Sequence, residues 1–419
     1  MALVGLADSN SFFASCEKVF RPDLKNSPIV VLSNNDGCIV ALTQEVKDLG
    51  IQRGEPYFKV EKLLKKSGCA VFSSNYTLYQ DISRRIFEIL GIFVEDIDLY
   101  SIDEAFFSFP EYLNENEVSS YINKLHNTLY RRTGMKVSIG IGRTKTLAKI
   151  ANHIAKKNNG AFYLSKEKEE KIIKNLPIKE VWGIGYRNAY KLESFKIHTA
   201  GALIEKDDKW IRKNFSITGL RTVYELRGIP CINEDDYRIR SFASGISFQK
   251  PVTSFEELLE SLACHCSVVA SKLVSKNIKA GTVGVQINSN RFRDNYYSSF
   301  YYIKLTQSSC YVPTFIKACR SCLEHIYKNN VEYKSSRVFV YDFSFSQDRQ
   351  LSLFDTPNYS SLLKKRDNMA LCVKEIETSE GKNVIHPAIT YSKRKHDLSS
   401  RKYLSPCYTT RWKDIAKVY

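Results

Sequence analysis

The stretch Tyr100-Ser101-Ile102-Asp103-Glu104-Ala105-Phe106 sets two adjacent carboxylates between apolar runs. Ile97, Leu99 and Ile102 precede them, and residues 105–109 follow. No glycine or proline separates the runs, so the acids fall at a tight antiparallel turn or on the strand beside it. Apolar flanks draw both charges toward a core, which is costly unless a cation or a base compensates. A hard divalent cation such as Mg²⁺ supplies that compensation. A solvated turn is the plainer reading of the stretch taken alone.

Working outward, residues 3–7 read as a short apolar strand that ends in Asp8 and turns at Ser9 into a helix carrying Phe12 and Phe13. An acid in that position is either a metal ligand or a cap. Residues 28–32 and 38–41 read as strands joined by the polar loop Ser33-Asn34-Asn35-Asp36-Gly37-Cys38, with a helix at 43–49, giving a small α+β lobe that ends near Asn75. From there the pattern is helix (77–90), strand, hairpin at Asp103-Glu104, helix (117–132), strand (137–141) and helix (144–157). Val118, Ile122, Leu125 and Leu129 recur at helical spacing. With the first strand added, these elements predict an antiparallel sheet with helices on one face, its strand ends bringing Asp8 near Asp103 and Glu104. The last helix carries Lys145, Lys149, Lys156 and Lys157, suited to phosphates or to a solvated face.

The chain of 419 residues is too long for one ordinary domain. Its 62 Lys and Arg against 45 Asp and Glu give a net charge of +17, which points to a polyanionic partner. No apolar run approaches a membrane span and the N-terminus lacks a basic leader region, so neither a span nor a signal peptide is expected. Eleven scattered cysteines fit a reduced interior. Cys264-His265-Cys266 and Cys319-Arg320-Ser321-Cys322 read as packing residues of helices rather than as a zinc site.

Residues 167–227 read as short helices around Trp182-Gly183-Ile184-Gly185. Two glycines before a helix start aim backbone N–H groups outward and can grip a phosphate, as a helix-hairpin-helix does. After a charged connector at 234–241 comes a second α+β unit. Its hairpin Asn290-Arg291-Phe292-Arg293 interleaves arginine with aromatic rings, suiting a nucleic-acid groove or an ordinary exposed tip. Gln350-Leu351-Ser352-Leu353-Phe354 reads as a linear motif for a partner's apolar pocket, or as a strand end covering its own core. The tail at 393–419 is rich in Lys, Arg, Tyr and Ser, and suggests anion or partner contact only.

In this order, the strand ending in Asp8 with its Phe12-Phe13 pair, Ser101-Ile102-Asp103-Glu104-Ala105, Lys145-Thr146-Leu147-Ala148-Lys149, the Trp182 to Gly185 hairpin and Gln350 to Phe354 resemble the Y-family translesion DNA polymerases over nearly the whole chain. The Ser33 to Cys38 loop and the Ser405 to Arg411 tail resemble the branch that works with a UmuD-type accessory dimer.

The resemblance implies an α+β multidomain, right-hand polymerase. It has a ferredoxin-like palm (1–10 and 77–167), small fingers (11–76), a helical thumb with a helix-hairpin-helix (168–237), a connector (238–241) and an α+β little finger (242–349). A clamp-binding peptide (350–354) and a C-terminal tail (355–419) follow. It implies Asp103 and Glu104 as catalytic residues, with Asp8, Asp103, Glu104 and the Ser9 carbonyl as ligands of two Mg²⁺ ions. Phe13 matches the steric gate against a ribose 2′-hydroxyl, where many relatives carry Tyr. Phe12, Gln44, Lys47 and Lys156 match nucleotide contacts, with Lys157 an alternative to Lys156. Gln44 and Lys47 replace a Tyr and an Arg common in the family. It implies Gly183 and Gly185 as DNA contacts, to which the interleaved Arg291 and Arg293 are added as candidates, and Gln350, Leu351, Leu353 and Phe354 as the residues that engage the sliding clamp.

The implied activity is error-prone, template-directed transfer from dNTP to a primer 3′-hydroxyl during SOS-type damage tolerance. The implied partners are primer-template DNA, the sliding clamp, a UmuD-type dimer and the RecA filament, with no membrane, in the bacterial cytoplasm on the nucleoid. Two readings compete: a catalytically idle DNA- or clamp-binding regulator on the same fold, and a palm-fold nucleotidyl cyclase.

Overall fold

A computed structural model describes residues 3–109, 115–233, 239–345, 357–381, 384–390 and 401–415. The chain forms two compact units, one of residues 1–237 with 401–419, the other of residues 238–400.

In the first unit, β1 (Val4–Ser9) leads into α1 (Phe12–Val19). A small lobe follows with β2 (Ile29–Leu32), β3 (Ile39–Leu42), α2 (Gln44–Asp48), α3 (Tyr57–Lys66) and β4 (Ala70–Ser73). Its sheet order is β3-β2-β4, with β2 and β4 parallel. Val30, Leu32, Ile39, Val46 and Leu64 fill its core. The chain continues through α4 (Tyr76–Leu90), β5 (Ile97–Leu99), β6 (Glu104–Ser108), α5 (Glu115–Thr133), β7 (Val137–Gly142), α6 (Lys145–Lys157) and β8 (Ala161–Tyr163).

These strands build a sheet of order β5-β6-β1-β7-β8. Side chains alternate across a strand, so each strand serves two faces. Ala7, Ala105, Phe107, Val137, Ile139 and Ile141 turn to one face, where Leu78, Ile82 and Ile86 of α4 and Val118, Ile122 and Leu125 of α5 close the core. Leu6 and Phe106 turn to the other face and meet Ala148 of α6.

Two features of the sheet depart from the sequence-based expectation. The helices cover both faces rather than one, and β8 runs parallel to β7 rather than antiparallel. The physical reason is the crossover: a strand, α6 and a parallel neighbour form a βαβ unit whose helix must lie against the sheet. Gly140 makes room for it, because a Cβ there would sit 2.1 Å from the backbone nitrogen of Asn152 on α6.

Short helices α7 (Lys166–Asn175), α8 (Tyr186–Ser194), α9 (Ala200–Ile204) and α10 (Asp208–Leu226) complete the first unit's helical part. Ile173, Val181, Leu192, Ile211 and Val223 pack with Leu147 and Ile150 of α6. Residues 401–415 return to this unit, with Leu404 bridging the end of β4 at Ser73.

The second unit holds β9 (Ser241–Val252), α11 (Phe255–Ser275), β10 (Ile278–Ser289), β11 (Ser298–Ser309), α12 (Val312–Ile326), β12 (Tyr333–Phe345) and α13 (Pro357–Ser379). Its antiparallel sheet has the order β11-β10-β12-β9. Val283, Val285, Val338 and Val340 face α11 and α12. Cys266, Cys319 and Cys322 are buried in this core, the first two with sulfurs 3.5 Å apart. By length and composition α11 is apolar enough to cross a membrane, contrary to the sequence reading. Leu258, Leu259, Leu262, Val269 and Leu273 are instead buried against the sheet, so its apolarity is that of a core helix. The segment expected as one tail divides, with α13 in this unit and residues 401–415 in the first.

Candidate active site

Asp8 and Glu104 lie directly opposite each other in the register of β1 and β6. Both share the strand parity of Leu6 and Phe106, and so face α6. Like charges placed opposite are destabilising on a sheet, and α6 supplies the remedy. Lys149 and Lys156, two turns apart on one helical face, reach Glu104 and Asp8, each at 2.6 Å. Lys145, one turn earlier, pairs with Asp98 of β5, also at 2.6 Å. Lys149 is further enclosed by aromatic faces, its Nζ standing 4.9 Å from the centre of the Tyr100 ring, 5.6 Å from Trp182 and 5.7 Å from Phe106.

Asp103 ends the turn before β6. Its backbone carbonyl accepts from the Ser9 N–H at 2.9 Å, tying the turn to the end of β1. Ser101 organises the turn from within: its Oγ donates to Asp103 Oδ1 at 2.5 Å and accepts from the backbone N–H of Asp103 and of Glu104. Burial pushes the Asp8 carboxyl up to about 7, against the pull of the Lys156 charge, and a hydrogen bond with Glu104 adds to the rise. Burial also works to raise Glu104, yet the hydrogen bond from Asp8 and the Lys149 ammonium hold it below the usual carboxylate range. The pair therefore keeps one proton more readily than two separate acids would. No cluster of three or more His, Cys, Asp or Glu in coordinating array occurs among the described residues, and at this site the Asp103 carboxylate is turned to Ser101.

The two phenylalanines of α1 part company. Phe13 is half-buried, its ring stacked on Tyr79 at 4.4 Å and edge-on to Tyr76 at 5.7 Å. Phe12 is 3% exposed inside the core. Adjacent helical residues point about 100° apart, so Phe12 turns inward, with its ring centre 5.7 Å from that of Phe13 and 6.4 Å from that of Tyr79. Gln44 and Lys47 are exposed on α2, and the Gln44 amide donates to Asp48 at 2.8 Å.

Gly183 adopts φ +86 in the turn before α8, with Thr222 Oγ1 2.8 Å from where a Cβ would stand. Gly185 caps α8 with open space in front of it. In the second unit, Arg291 and Arg293 sit at the exposed β10–β11 tip. Arg291 stacks on Phe292 at 4.8 Å, while Arg293 pairs with Glu332. The peptide Gln350 to Phe354 lies outside the described residues.

Sequence reasoning passed over a buried network next to Phe13. Glu17 of α1, Tyr79 of α4 and Ser405 of the returning segment share hydrogen bonds. A polar residue at helical spacing inside α1 was the one local signal, and nothing near Ser405 announced its partner.

Comparison with known proteins supplies matches across most of the chain. Residues 7–153 match the impB/mucB/samB family, 239–353 its C-terminal domain and 166–197 its HHH motif, while 373–418 match a domain of unknown function. Protein UmuC of Salmonella typhimurium is 35% identical over 99% of this chain and 100% of its own length. Protein MucB of Escherichia coli is 33% identical over 99% of both. DNA polymerase IV 1 of Bacillus subtilis is 27% identical over 67% of this chain and 68% of its own. Among solved structures, a Y-family DNA polymerase chimera of Dbh and Dpo4 superposes with a TM-score of 0.66 at 17% identity, covering 82% of this chain and 99% of that one. An insertion ternary complex of Dbh DNA polymerase gives 0.56 at 18% identity, with the same coverage.

Proposed function

The chain belongs to the impB/mucB/samB family of Y-family DNA polymerases, and on that premise we propose that the Asp8–Glu104 pair is the centre of template-directed DNA synthesis past damaged bases. The observation that carries this reading is the two carboxylates set in register on one face, with Lys149 and Lys156 holding their charge. The substrates are primer-template DNA and dNTP.

Asp8, Asp103, Glu104 and the Ser9 carbonyl offer only oxygen donors, the set a hard dication takes. They would hold two Mg²⁺ ions, which when bound polarise the primer 3′-hydroxyl and neutralise the triphosphate. For Asp103 to take part, its carboxylate leaves Ser101. The two lysines then have different tasks. Lys156, 38% exposed, is free to exchange Asp8 for a triphosphate oxygen. Lys149, at 16% and walled by three rings, stays to hold Glu104. Phe13 excludes the ribose 2′-hydroxyl by clash, and Lys47 and Gln44 approach the triphosphate from the fingers.

Gly183 and Gly185 meet backbone phosphates, and Arg291 and Arg293 extend that grip from the little finger. Gln350, Leu351, Leu353 and Phe354 engage a sliding clamp; a UmuD-type dimer and a RecA filament complete the working assembly on the bacterial nucleoid.

Primer extension with purified protein, Mg²⁺ and dNTPs tests the reading. Glu104→Ala should lower extension by at least about 10²-fold, the usual loss when a charge-stabilising group is removed, with DNA affinity unchanged. Persistent synthesis by this variant would refute the site.

A further inference from the structure

We propose that the returning segment around Ser405 positions the Phe13 ring, and thereby sets how well the pocket distinguishes deoxyribose from ribose. The proposal rests on the reading of Phe13 as the sugar gate, and it adds Ser405 as a positioning residue for that gate.

The chain of contacts is continuous. Phe13 lies nearly flat on Tyr79, with ring centres 4.4 Å apart and planes 14° from parallel. Tyr79 is fully buried, and its hydroxyl donates to Glu17 Oε1 at 2.7 Å. Glu17 stands one turn after Phe13 on α1 and is also fully buried. Ser405 Oγ donates to the same Oε1 at 3.1 Å. Glu17 Oε2 has no hydrogen-bond partner among the described residues.

Ser405 is itself held. The Asn75 side chain caps α4 by accepting from the Leu78 N–H, and its Nδ2 donates to Ser405 Oγ at 3.0 Å and to the Ser405 and Pro406 carbonyls at 3.3 Å. Two residues back, Tyr403 exchanges hydrogen bonds with Ser73. Three residues on, the Tyr408 ring stacks on Phe20 at 4.8 Å. The segment thus joins the end of α1 to the start of α4, the two helices that present Phe13 and the ring beneath it.

A buried carboxyl needs its hydrogen bonds, because each one lost in a low-dielectric site costs more than in water. Without the Ser405 hydroxyl, Glu17 keeps Tyr79 alone and Asn75 loses an acceptor, so the carboxyl that anchors the Tyr79 ring is itself held by one hydrogen bond instead of two. A gate that works by clash depends on where its ring stands. Its loosening therefore appears as acceptance of the larger sugar, ahead of any loss with the correct one.

The test measures kcat/KM for single insertion of a dNTP and the matching rNTP by full-length wild type, Ser405→Ala, Ser405→Thr and Phe13→Ala. Phe13→Ala should collapse the dNTP-to-rNTP ratio. Ser405→Ala should lower it by roughly 2- to 13-fold, the factor carried by one hydrogen bond. Ser405→Thr, which keeps the hydroxyl, should restore most of it. If Ser405→Ala slows both sugars equally, the segment is a structural support only and the proposal falls, while the gate stands. If Phe13→Ala leaves sugar selection unchanged, the gate falls and the proposal with it. Should Ser405→Ala not fold, Tyr79→Phe keeps the ring and removes its link to Glu17; a lowered ratio supports the proposal and an unchanged one overturns it.

Discussion

Glu17 carries a carboxyl into a core where solvent cannot reach it, and burial pushes its pKa up to about 7, against the hydrogen bonds from Tyr79 and Ser405. A folded-state pKa above the unfolded value of 4.5 means that the native protein holds the proton more tightly. The resulting stabilisation is complete below pH 4.5 and is lost as pH rises through about 7. Glu17→Gln, neutral at every pH, should therefore gain on wild type as pH increases. The gap in stability should be small at pH 5 and widest at pH 8.5, up to about 3 kcal/mol, and Tm should follow it. Thermal melts across that range check it, and a gap independent of pH would refute a protonated Glu17. At this scale the meeting of Asp8 with Glu104 was legible, since charges among apolar residues are conspicuous, while the turn of the Asp103 carboxylate to Ser101 was not. Nor was the different burial of Phe12 and Phe13, because adjacent identical residues look alike in a string, while a helix turns them to different surroundings.

Among the elements, α6 is the one whose position the sequence concealed. Its lysines were conspicuous, but their destination depended on the sheet face they would meet. Val137, Ile139 and Ile141 alternate along β7 with Ser138, Gly140 and Gly142, and a sheet with helices on one face only would leave the second set uncovered. They are small because a helix rests there. Gly140→Ala would place a carbon 2.1 Å from the Asn152 backbone nitrogen, which no rotamer change relieves. Overpacking of this kind costs about 1–3 kcal/mol, which lowers Tm by about 3–10 °C in a unit of this size. Because α6 also delivers Lys149 and Lys156, primer extension should fall further than residual folding explains. Equal losses would mean that the helix shifts without disturbing its lysines.

For the whole molecule, the excess of positive charge and the alternation of strands and helices were readable, and so was the presence of two α+β regions. The pairing of residues 401–415 with the first unit was not, because Ser405 and Glu17 are 388 residues apart and local composition records no such distance. Charge also divides unevenly at the β10–β11 tip. Arg293 already has Glu332 as a partner, whereas Arg291 rests on an exposed aromatic ring. Arg291→Ala should reduce the slope of log affinity for DNA against log salt by about 1. Arg293→Ala should reduce it by less, since a charge shared with Glu332 displaces fewer counterions. Fluorescence anisotropy at several salt concentrations separates the two, and identical slopes would refute the distinction.

The return of residues 401–415 to the first unit also bears on how the protein is made. Synthesis proceeds from the N-terminus at about 5–20 residues per second, so the first unit waits on the order of 10–30 s, while the second is translated, before Ser405 can reach Glu17. Through that interval the nascent chain carries its carboxylate pair without the hydroxyl that completes the floor under Phe13. A product cut short by a stalled ribosome or a late nonsense codon remains in that state. Residues 401–415 thus finish the pocket only in chains translated past the second unit.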